Sequence, residues 1–470
     1  MAGPPEKRWG EADDAPAPPG GWRVVRGALT DEGADILSDL DAAFSRPSSA
    51  VLRQGNTRKT AILPDLGSVW KWQFRIKSRE IIPSLLGESP VREEFDLTQR
   101  AAARGIRAPD PLFAAERRTL GFLREVVIAF TLIPDSVSLD RGVDLFERDG
   151  DPPLSREERM RAIRLCGAMA ARMHAAGILH NDLTADNIQV QRREGDLRVW
   201  FLDWCMATFP GNVSEEDRAG AVGKLAHSLM ALGVDEGGLA ALCESYCESR
   251  SELGLSTAAF RERVTEQVQS LVDHLVARVV RNALRKSRRL TIRRRGGHTL
   301  ACLKGVGIDR LVATMARLDG IPMAPPAGAH PLKDAEVLRD NHAARTWIAN
   351  CVAQQFRLPV RTVLGTVVER KSGRGWVALA GGALESASVA DSADEKEMLD
   401  VLESLAELLH QYGLRFRSLA KGDIRRVGSG FPAAARTEGL MVWNPTVLSA
   451  APDSDTAGSW QVVWDYAGVQ

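Results

Sequence analysis

Cysteine is scarce in this chain, with six in 470 residues, and only Cys243 and Cys247 lie close together, at helical i,i+4 spacing with no His or Cys nearby. That is too few for a disulfide framework and the wrong arrangement for a zinc site, so all six are expected to be reduced thiols. Long apolar runs are missing too. The strongest one, Val126 to Ile133, falls far short of the roughly 20 residues that span a bilayer and reads as a buried strand. Net charge is absent: 61 basic and 61 acidic side chains cancel to +0, which excludes a global field for nucleic acid or anionic membrane and leaves only local patches. The first residues are rich in proline and glycine, mix acids with bases and have no apolar core, unlike a secretory signal or a transit peptide. A cytoplasmic protein is therefore expected. The remaining composition, 44% hydrophobic and 26% charged, suits soluble globular domains, of which this length holds two or three at about 100–200 residues each.

Residues 1–22 read as a disordered tail. Between Val51 and Trp72, short β-type runs are broken by Gln54-Gly55-Asn56 and Pro64-Asp65-Leu66-Gly67 turns, the pattern of a small antiparallel meander. Ser89 as N-cap and Pro90 at the first helical position start a helix, with Val91, Phe95, Thr98 and Ala102 on one face and Gly105 at its end. The Val126–Ile133 strand follows. Ser155 and Glu158 then form a capping box for a long helix that runs through His174 to Gly177. Two β runs, Asn187–Val190 and Leu197–Leu202, flank a Glu194-Gly195-Asp196 turn. Downstream the pattern is mostly helical, with Leu271, Leu275, Val279 and Ala283 in phase. This order of elements predicts an α+β, bilobal architecture.

The chemistry concentrates in Gly177-Ile178-Leu179-His180-Asn181-Asp182-Leu183-Thr184-Ala185-Asp186-Asn187-Ile188, with Phe201-Leu202-Asp203-Trp204 after the β turn. Taken alone, Asp182 and Asn187 suit a polar turn that bonds its own backbone. Their spacing, the Met173-His174-x-x-Gly177 helix end and the later Leu-Asp-Trp make the segment more specific, and here the chain resembles the protein-kinase-like superfamily, with its H-R-D-L-x-x-x-N loop and D-F-G metal aspartate. By that resemblance Asp182 orients the attacking hydroxyl, Asn187 and Asp203 hold Mg2+ against the phosphates of ATP, and His180 supports the loop. The fold also requires a strand lysine and a helix glutamate. Lys71 alternates with Val69 on a strand, and Glu94 lies nearer the Val91/Phe95 face than Glu93, so Lys71 and Glu94 are the expected pair. No G-x-G-x-x-G precedes Lys71. Gly55, in the first turn of the meander, is the candidate glycine, which implies a reduced phosphate loop using backbone N–H groups and the Thr57 hydroxyl.

The pattern is most similar to the bacterial lipopolysaccharide kinases, the Kdo and heptose kinases. It shares the V-x-K strand, Glu93-Glu94-Phe95 with the following Ala103-Arg104-Gly105-Ile106-x-Ala108-Pro109-x-Pro111, and the Met173 to Ile188 segment. The resemblance spans residues 50–295 and implies transfer of the γ-phosphoryl group of ATP to a sugar hydroxyl at the cytoplasmic face of the inner membrane. An atypical protein kinase or small-molecule phosphotransferase is the alternative enzyme reading, and a catalytically inactive pseudokinase scaffold is the reading outside enzymes. The missing A-P-E segment after Asp203 weighs against a protein kinase.

Two further features stand outside that core. From Arg278 to Arg295 there are nine basic residues and no acid, read as a basic helix end that contacts anionic lipid or simply as a solvated, charged face. Nucleic acid is disfavoured because no aromatic residue interleaves the run. In addition, Leu405–Ile424 echoes Ala171–Ile188, with Phe416, Ser418 and Asp423 in place of His180, Asp182 and Asn187. Residues 1–22, 23–295 and 296–470 are thus expected to be a tail, a kinase-like catalytic domain and a second, degenerate kinase-like module.

Overall fold

The computed structural model describes residues 19–76, 89–143, 153–250, 256–283, 290–295, 297–316, 328–332, 335–340, 343–355, 363–371, 375–379 and short strands within 414–442. These fall into two units, the first drawn from Met1–Val143, Pro153–Ala226 and Asp235–Val264 and the second from Asp144–Pro152, His227–Val234 and Thr265–Gln470.

In the first unit, β1 (Trp22–Gly27), the helices α1 (Asp31–Ser38) and α2 (Leu40–Phe44), and the meander β2 (Ala50–Gln54), β3 (Arg58–Leu63) and β4 (Ser68–Gln73) precede α3 (Pro90–Ala103) and the hairpin β5 (Pro111–Thr119) and β6 (Phe122–Thr131). The six strands form one antiparallel sheet in the order β1-β5-β6-β4-β3-β2. Strand alternation divides its two faces. Trp70, Trp72, Ala61, Leu63, Phe113 and Val127 pack with Ile36, Leu37, Leu40 and Phe44 of α1 and α2. Ile128, Phe130, Ala114 and Val126 pack with Val91 and Phe95 of α3. Lys71 pairs with Ile128 across β4 and β6 and so belongs to the α3 face.

The rest of this unit is largely helical. After β7 (Ser136–Ser138) and α4 (Leu139–Val143) comes α5 (Arg156–Ala175), whose capping box has both bonds in place. Next are β8 (Leu179–His180), the hairpin β9 (Ile188–Arg193) and β10 (Asp196–Phe201), β11 (Ala207–Thr208) pairing back on β8, and the helices α6 (Glu215–Met230), α7 (Glu236–Glu248) and α8 (Thr257–Asn282), of which α6 passes into the second unit at His227 and α8 at Thr265.

In the second unit, β12 (Leu290–Arg295), β13 (His298–Leu303), α9 (Ile308–Met315), β14 (Glu336–Asp340), α10 (Ala343–Gln355), β15 (Val363–Glu369) and β16 (Gly375–Leu379) build a sheet ordered β12-β13-β15-β16-β14. Its β14–α10–β15–β16 run repeats the pairing of β4–α3–β5–β6: in each, the last strand lies antiparallel to both others. The preceding hairpin, however, joins β15 in this unit and β4 in the first. Further on, β17 (Leu414–Phe416) pairs with β20 (Leu440–Val442) around the hairpin β18 (Ile424–Val427) and β19 (Phe431–Ala434), the same order as β8, β9–β10 and β11.

Several expectations need correction. Leu290–Arg295 is a strand and not a helix end, because Leu290 and Ile292 alternate with Thr291 and Arg293 and the turn at Gly297 (φ +80°) folds it onto β13; the expected boundary after Arg295 thus falls inside a hairpin. The buried stripe of α8 is Val268, Val272, Val276 and Val280, one position along from Leu271, Leu275 and Val279. Ser89 holds the N-cap position of α3 through its carbonyl, while its hydroxyl caps no helix N–H. Of the tail read over residues 1–22, Pro19–Gly21 forms a short 3-10 turn and Trp22 is the buried first residue of β1, while residues 1–18, like Ser418 and Asp423, lie outside the described residues.

Close helix packing sets a strict demand at Gly167 of α5, where an added Cβ would meet the Leu242 carbonyl oxygen of α7 at 2.3 Å. Since backbone cannot give way as a side chain end does, Gly167→Ala should lower stability by about 1–3 kcal/mol, read as a reduced urea midpoint at unchanged slope.

Candidate active site

Lys71 leaves the centre of β4 on the face covered by α3, and Glu94 leaves the second turn of α3 on the side that carries Val91, Phe95 and Thr98 into the core. Their side chains meet, with Lys71 Nζ donating to Glu94 Oε1 at 2.7 Å and standing 3.4 Å from Asp203 Oδ1. The Phe130 ring lies 5.2 Å from the ammonium, adding a favourable quadrupole contact. Burial by itself would lower the Lys71 pKa, but the carboxylates of Glu94 and Asp203 outweigh it and hold the pKa above the ordinary lysine value. For Asp203, burial favours the neutral acid, yet Lys71, the Cys205 thiol and the Arg58 guanidinium together keep the carboxyl below its usual range. Lys71 and Asp203 are therefore charged together.

Asp203 has φ 57° and ψ 60°, a left-handed backbone that Asp tolerates better than most residues. This turns the chain sharply out of β10. Just before it, the Leu202 carbonyl accepts from His180 Nε2 at 2.9 Å, and the Leu202 N–H donates to the Asn187 carbonyl. Nδ1 of the same His180 ring accepts the Asp182 N–H at 3.3 Å, so these partners assign one neutral tautomer. Burial is the main reason that the His180 pKa lies below the ordinary value. His180 is thus a strut between the loop and the Asp203 turn.

Within the loop, Asn187 Nδ2 donates to the Asp182 carbonyl at 2.9 Å and to Asp182 Oδ2 at 3.2 Å. With the amide nitrogen committed, the amide oxygen of Asn187 is the group left for a cation. Asn187 and Asp203 then offer hard oxygen donors beside the Asp182 carboxylate, a set that suits Mg2+, which takes few protein ligands and completes its shell with water and phosphate oxygens. Among the described residues no cluster of three His, Cys, Asp or Glu side chains could hold a metal by itself.

Five of the six expected residues gather in this way: Lys71, Glu94 and Asp203 as one cluster, Asp182 and Asn187 as another, joined through Leu202 and His180. Gly55 departs from expectation. Its N–H donates to the Arg58 carbonyl at 2.8 Å, closing a tight turn between β2 and β3 that leaves this amide no role with phosphate. Arg58 is the cation that sequence reasoning missed. It pairs with Gln73 two positions from the Thr60–Lys71 pair, so alternation puts it on the Lys71 face, where it acts on Asp203.

Other positioning groups also escaped notice. Lys224 of α6 donates to the Asn181 carbonyl at 2.7 Å, and Asn181 Nδ2 donates to the Met206 carbonyl at 2.8 Å. Arg100 and Arg104 of α3 stack on Phe209 at 4.1 and 5.0 Å, while Arg104 also donates to the Ala176 carbonyl. Gly177, at φ +69°, lies so close to Gly211 that a Cβ would meet its carbonyl oxygen at 2.3 Å. A lysine or arginine on a helix carries no sequence signal for such contacts; the Met-His-x-x-Gly pattern did mark Gly177.

Beneath the loop, His174 is buried and its Nδ1 lies 2.8 Å from the Tyr246 hydroxyl. Burial, with help from Arg218 and Arg250, pushes its pKa down to about 3. Between that value and the unfolded value of about 6.5 the unfolded chain binds the extra proton, so stability rises with pH across this window. His174→Gln should flatten the fall in unfolding free energy between roughly pH 7 and roughly pH 5 by about 2 kcal/mol, measured by urea denaturation at each pH.

Comparison with known proteins finds the following similarities. Residues 44–246 match the model of the lipopolysaccharide kinase (Kdo/WaaP) family. A curated relative, the KEOPS complex subunit Bud32 of Pyrococcus abyssi (strain GE5 / Orsay), is 27% identical over 145 residues, 30% of this chain, and the chain spans 57% of that relative's length. A solved structure of WaaP in complex with acyl carrier protein aligns with a TM-score of 0.37 at 16% identity, covering 53% of this chain and 99% of that one. The matched region of this chain is thus similar to the protein-kinase-like superfamily, close to the lipopolysaccharide kinases.

Proposed function

We propose that the chain transfers the γ-phosphoryl group of ATP to a sugar hydroxyl, with a lipopolysaccharide inner-core sugar as the acceptor class. The observation that carries this reading is the joined pair of clusters, Lys71–Glu94–Asp203 and Asp182–Asn187. Phosphoryl transfer asks little covalent chemistry of a protein and much charge positioning. Lys71, held charged and aimed by Glu94, neutralises the α- and β-phosphates, and Arg58 adds a second cation where a glycine-rich loop is missing. Asp182 orients the acceptor hydroxyl and takes its proton as the new O–P bond forms and the bond to ADP breaks. Mg2+, held by Asn187 and Asp203, would neutralise the charge that develops on the phosphate oxygens.

Residues 296–470 are proposed as a degenerate kinase-like module that supports the first. What favours this is the repeated pairing of β14–α10–β15–β16 and the order of β17 to β20, together with Ser418 where the first copy has Asp182. The exposed Arg278, Arg293 and Arg294 suit peripheral contact with an anionic inner-membrane face.

The test is transfer from labelled ATP, with a lipid A-core extract and a generic protein as competing acceptors. Label in the glycolipid that disappears with Asp182→Ala supports the proposal, whereas label in protein alone favours the protein-kinase alternative. Neither transfer nor a thermal shift with Mg-ATP would leave a scaffold. Arg58→Gln is expected to raise the KM for ATP roughly 10-fold or more, the scale of a charge-assisted hydrogen bond, with a smaller change in kcat. Lys224→Met should instead lower kcat roughly 10-fold or more at nearly constant KM for ATP, because it loosens the loop that carries Asp182. Steady-state kinetics separates the two.

A further inference from the structure

The β5–β6 hairpin closes through Thr119-Leu120-Gly121-Phe122, with Thr119 paired to Phe122. Both central residues have positive φ, 52° at Leu120 and 80° at Gly121, the signature of a type I′ turn. Such turns select Asn or Asp ahead of Gly, because a side chain branched beyond Cβ gains nothing there and the left-handed backbone is disfavoured for it. Here the position is filled by leucine. Leu120 is 91% exposed and Phe122 beside it 42% exposed, so two large apolar side chains project from a tip whose own fold would be better served by a polar one.

The surroundings of the tip are basic. Arg117 pairs with Glu125 and stands over the Trp22 ring, and Arg118 pairs with Glu116 while donating to the Gly121 carbonyl at 3.0 Å. These bonds make the hairpin stiff and use up both carboxylates. Arg124 on β6 and Arg23, which faces Glu116 from β1, are exposed and, among the described residues, are not paired with a carboxylate. An apolar knob with surplus positive charge around it matches an anionic bilayer, in which the leucine and phenylalanine enter the headgroup and acyl boundary while the guanidiniums remain at the phosphates.

We infer that the Leu120–Phe122 tip inserts into anionic lipid bilayers and anchors the first unit at a membrane surface. The anchor leaves the cleft free, since Phe122 lies six residues along β6 from Ile128, the partner of Lys71, about 20 Å at about 3.3 Å per residue. Its binding to lipid requires neither nucleotide nor acceptor.

Leu120→Asn makes a discriminating variant, because asparagine suits the turn better and should leave the melting temperature unchanged or raised. The experiment is sedimentation of the full chain with vesicles of phosphatidylcholine alone and of phosphatidylcholine with phosphatidylglycerol, comparing wild type, Leu120→Asn, Phe122→Ser and the double substitution Arg293→Gln with Arg294→Gln. Wild-type binding to the anionic vesicles that weakens at least 10-fold in Leu120→Asn and Phe122→Ser, also in the background of the double variant, supports the inference. Failure of the wild type to bind anionic vesicles, or equal binding by Leu120→Asn, overturns it. So does a Leu120-dependent dimer in solution without vesicle binding, which would assign the tip to a second copy of the chain.

Discussion

An ammonium held between two carboxylates is the constraint on which the first unit depends. Lys71 is largely withdrawn from water, and a lone buried ammonium is costly. Glu94 and Asp203 remove that cost only if they arrive together, which requires α3 to lie on one face of the sheet and the β10 turn to bring Asp203 to the same point. Removing either carboxylate would leave charge unbalanced, so the ion cluster fixes helix, sheet and turn relative to one another within this unit.

The sheet makes this possible by being covered on both sides. Trp70 and Trp72 anchor β4 against α1 and α2, and the residue between them, Lys71, is thereby turned to the other face. The loop from His180 to Asn187 is held with similar economy. His180 ties it to Leu202, Lys224 ties it to α6, and Asn181 ties it to Met206 in the turn after Asp203. Through the Phe209 stack, α3 also grips the segment after Asp203.

The second unit repeats part of the strand order of the first. Its strand–helix–hairpin run and its short strands around β18–β19 repeat an order found in the first unit, yet the β12–β13 hairpin attaches to the other side of the three-stranded core. Antiparallel pairing through β15 satisfies the backbone as well as pairing through β14 would, so hydrogen bonding does not oppose such a change.

Local chemistry was legible in the sequence. The His180–Asn187 spacing and the Asp203 turn are set by a few consecutive residues, the capping box of Ser155 and Glu158 is an i,i+3 matter, and Lys71 and Glu94 follow from the periods of strand and helix. What the sequence by itself determined is therefore which side chains of each element face the same way. Tertiary structure alone decided which of those faces meet: β1 and β5 as members of the sheet, Arg58 as a cation near Asp203, Lys224 under the loop, the fold of Arg293–Arg295 into a strand, and the N–H of Gly55 spent within its own turn. The physical reason is that periodicity reports a residue's own element, whereas charge pairing, loop support and strand order depend on partners tens of residues away, whose positions are fixed only when the core packs.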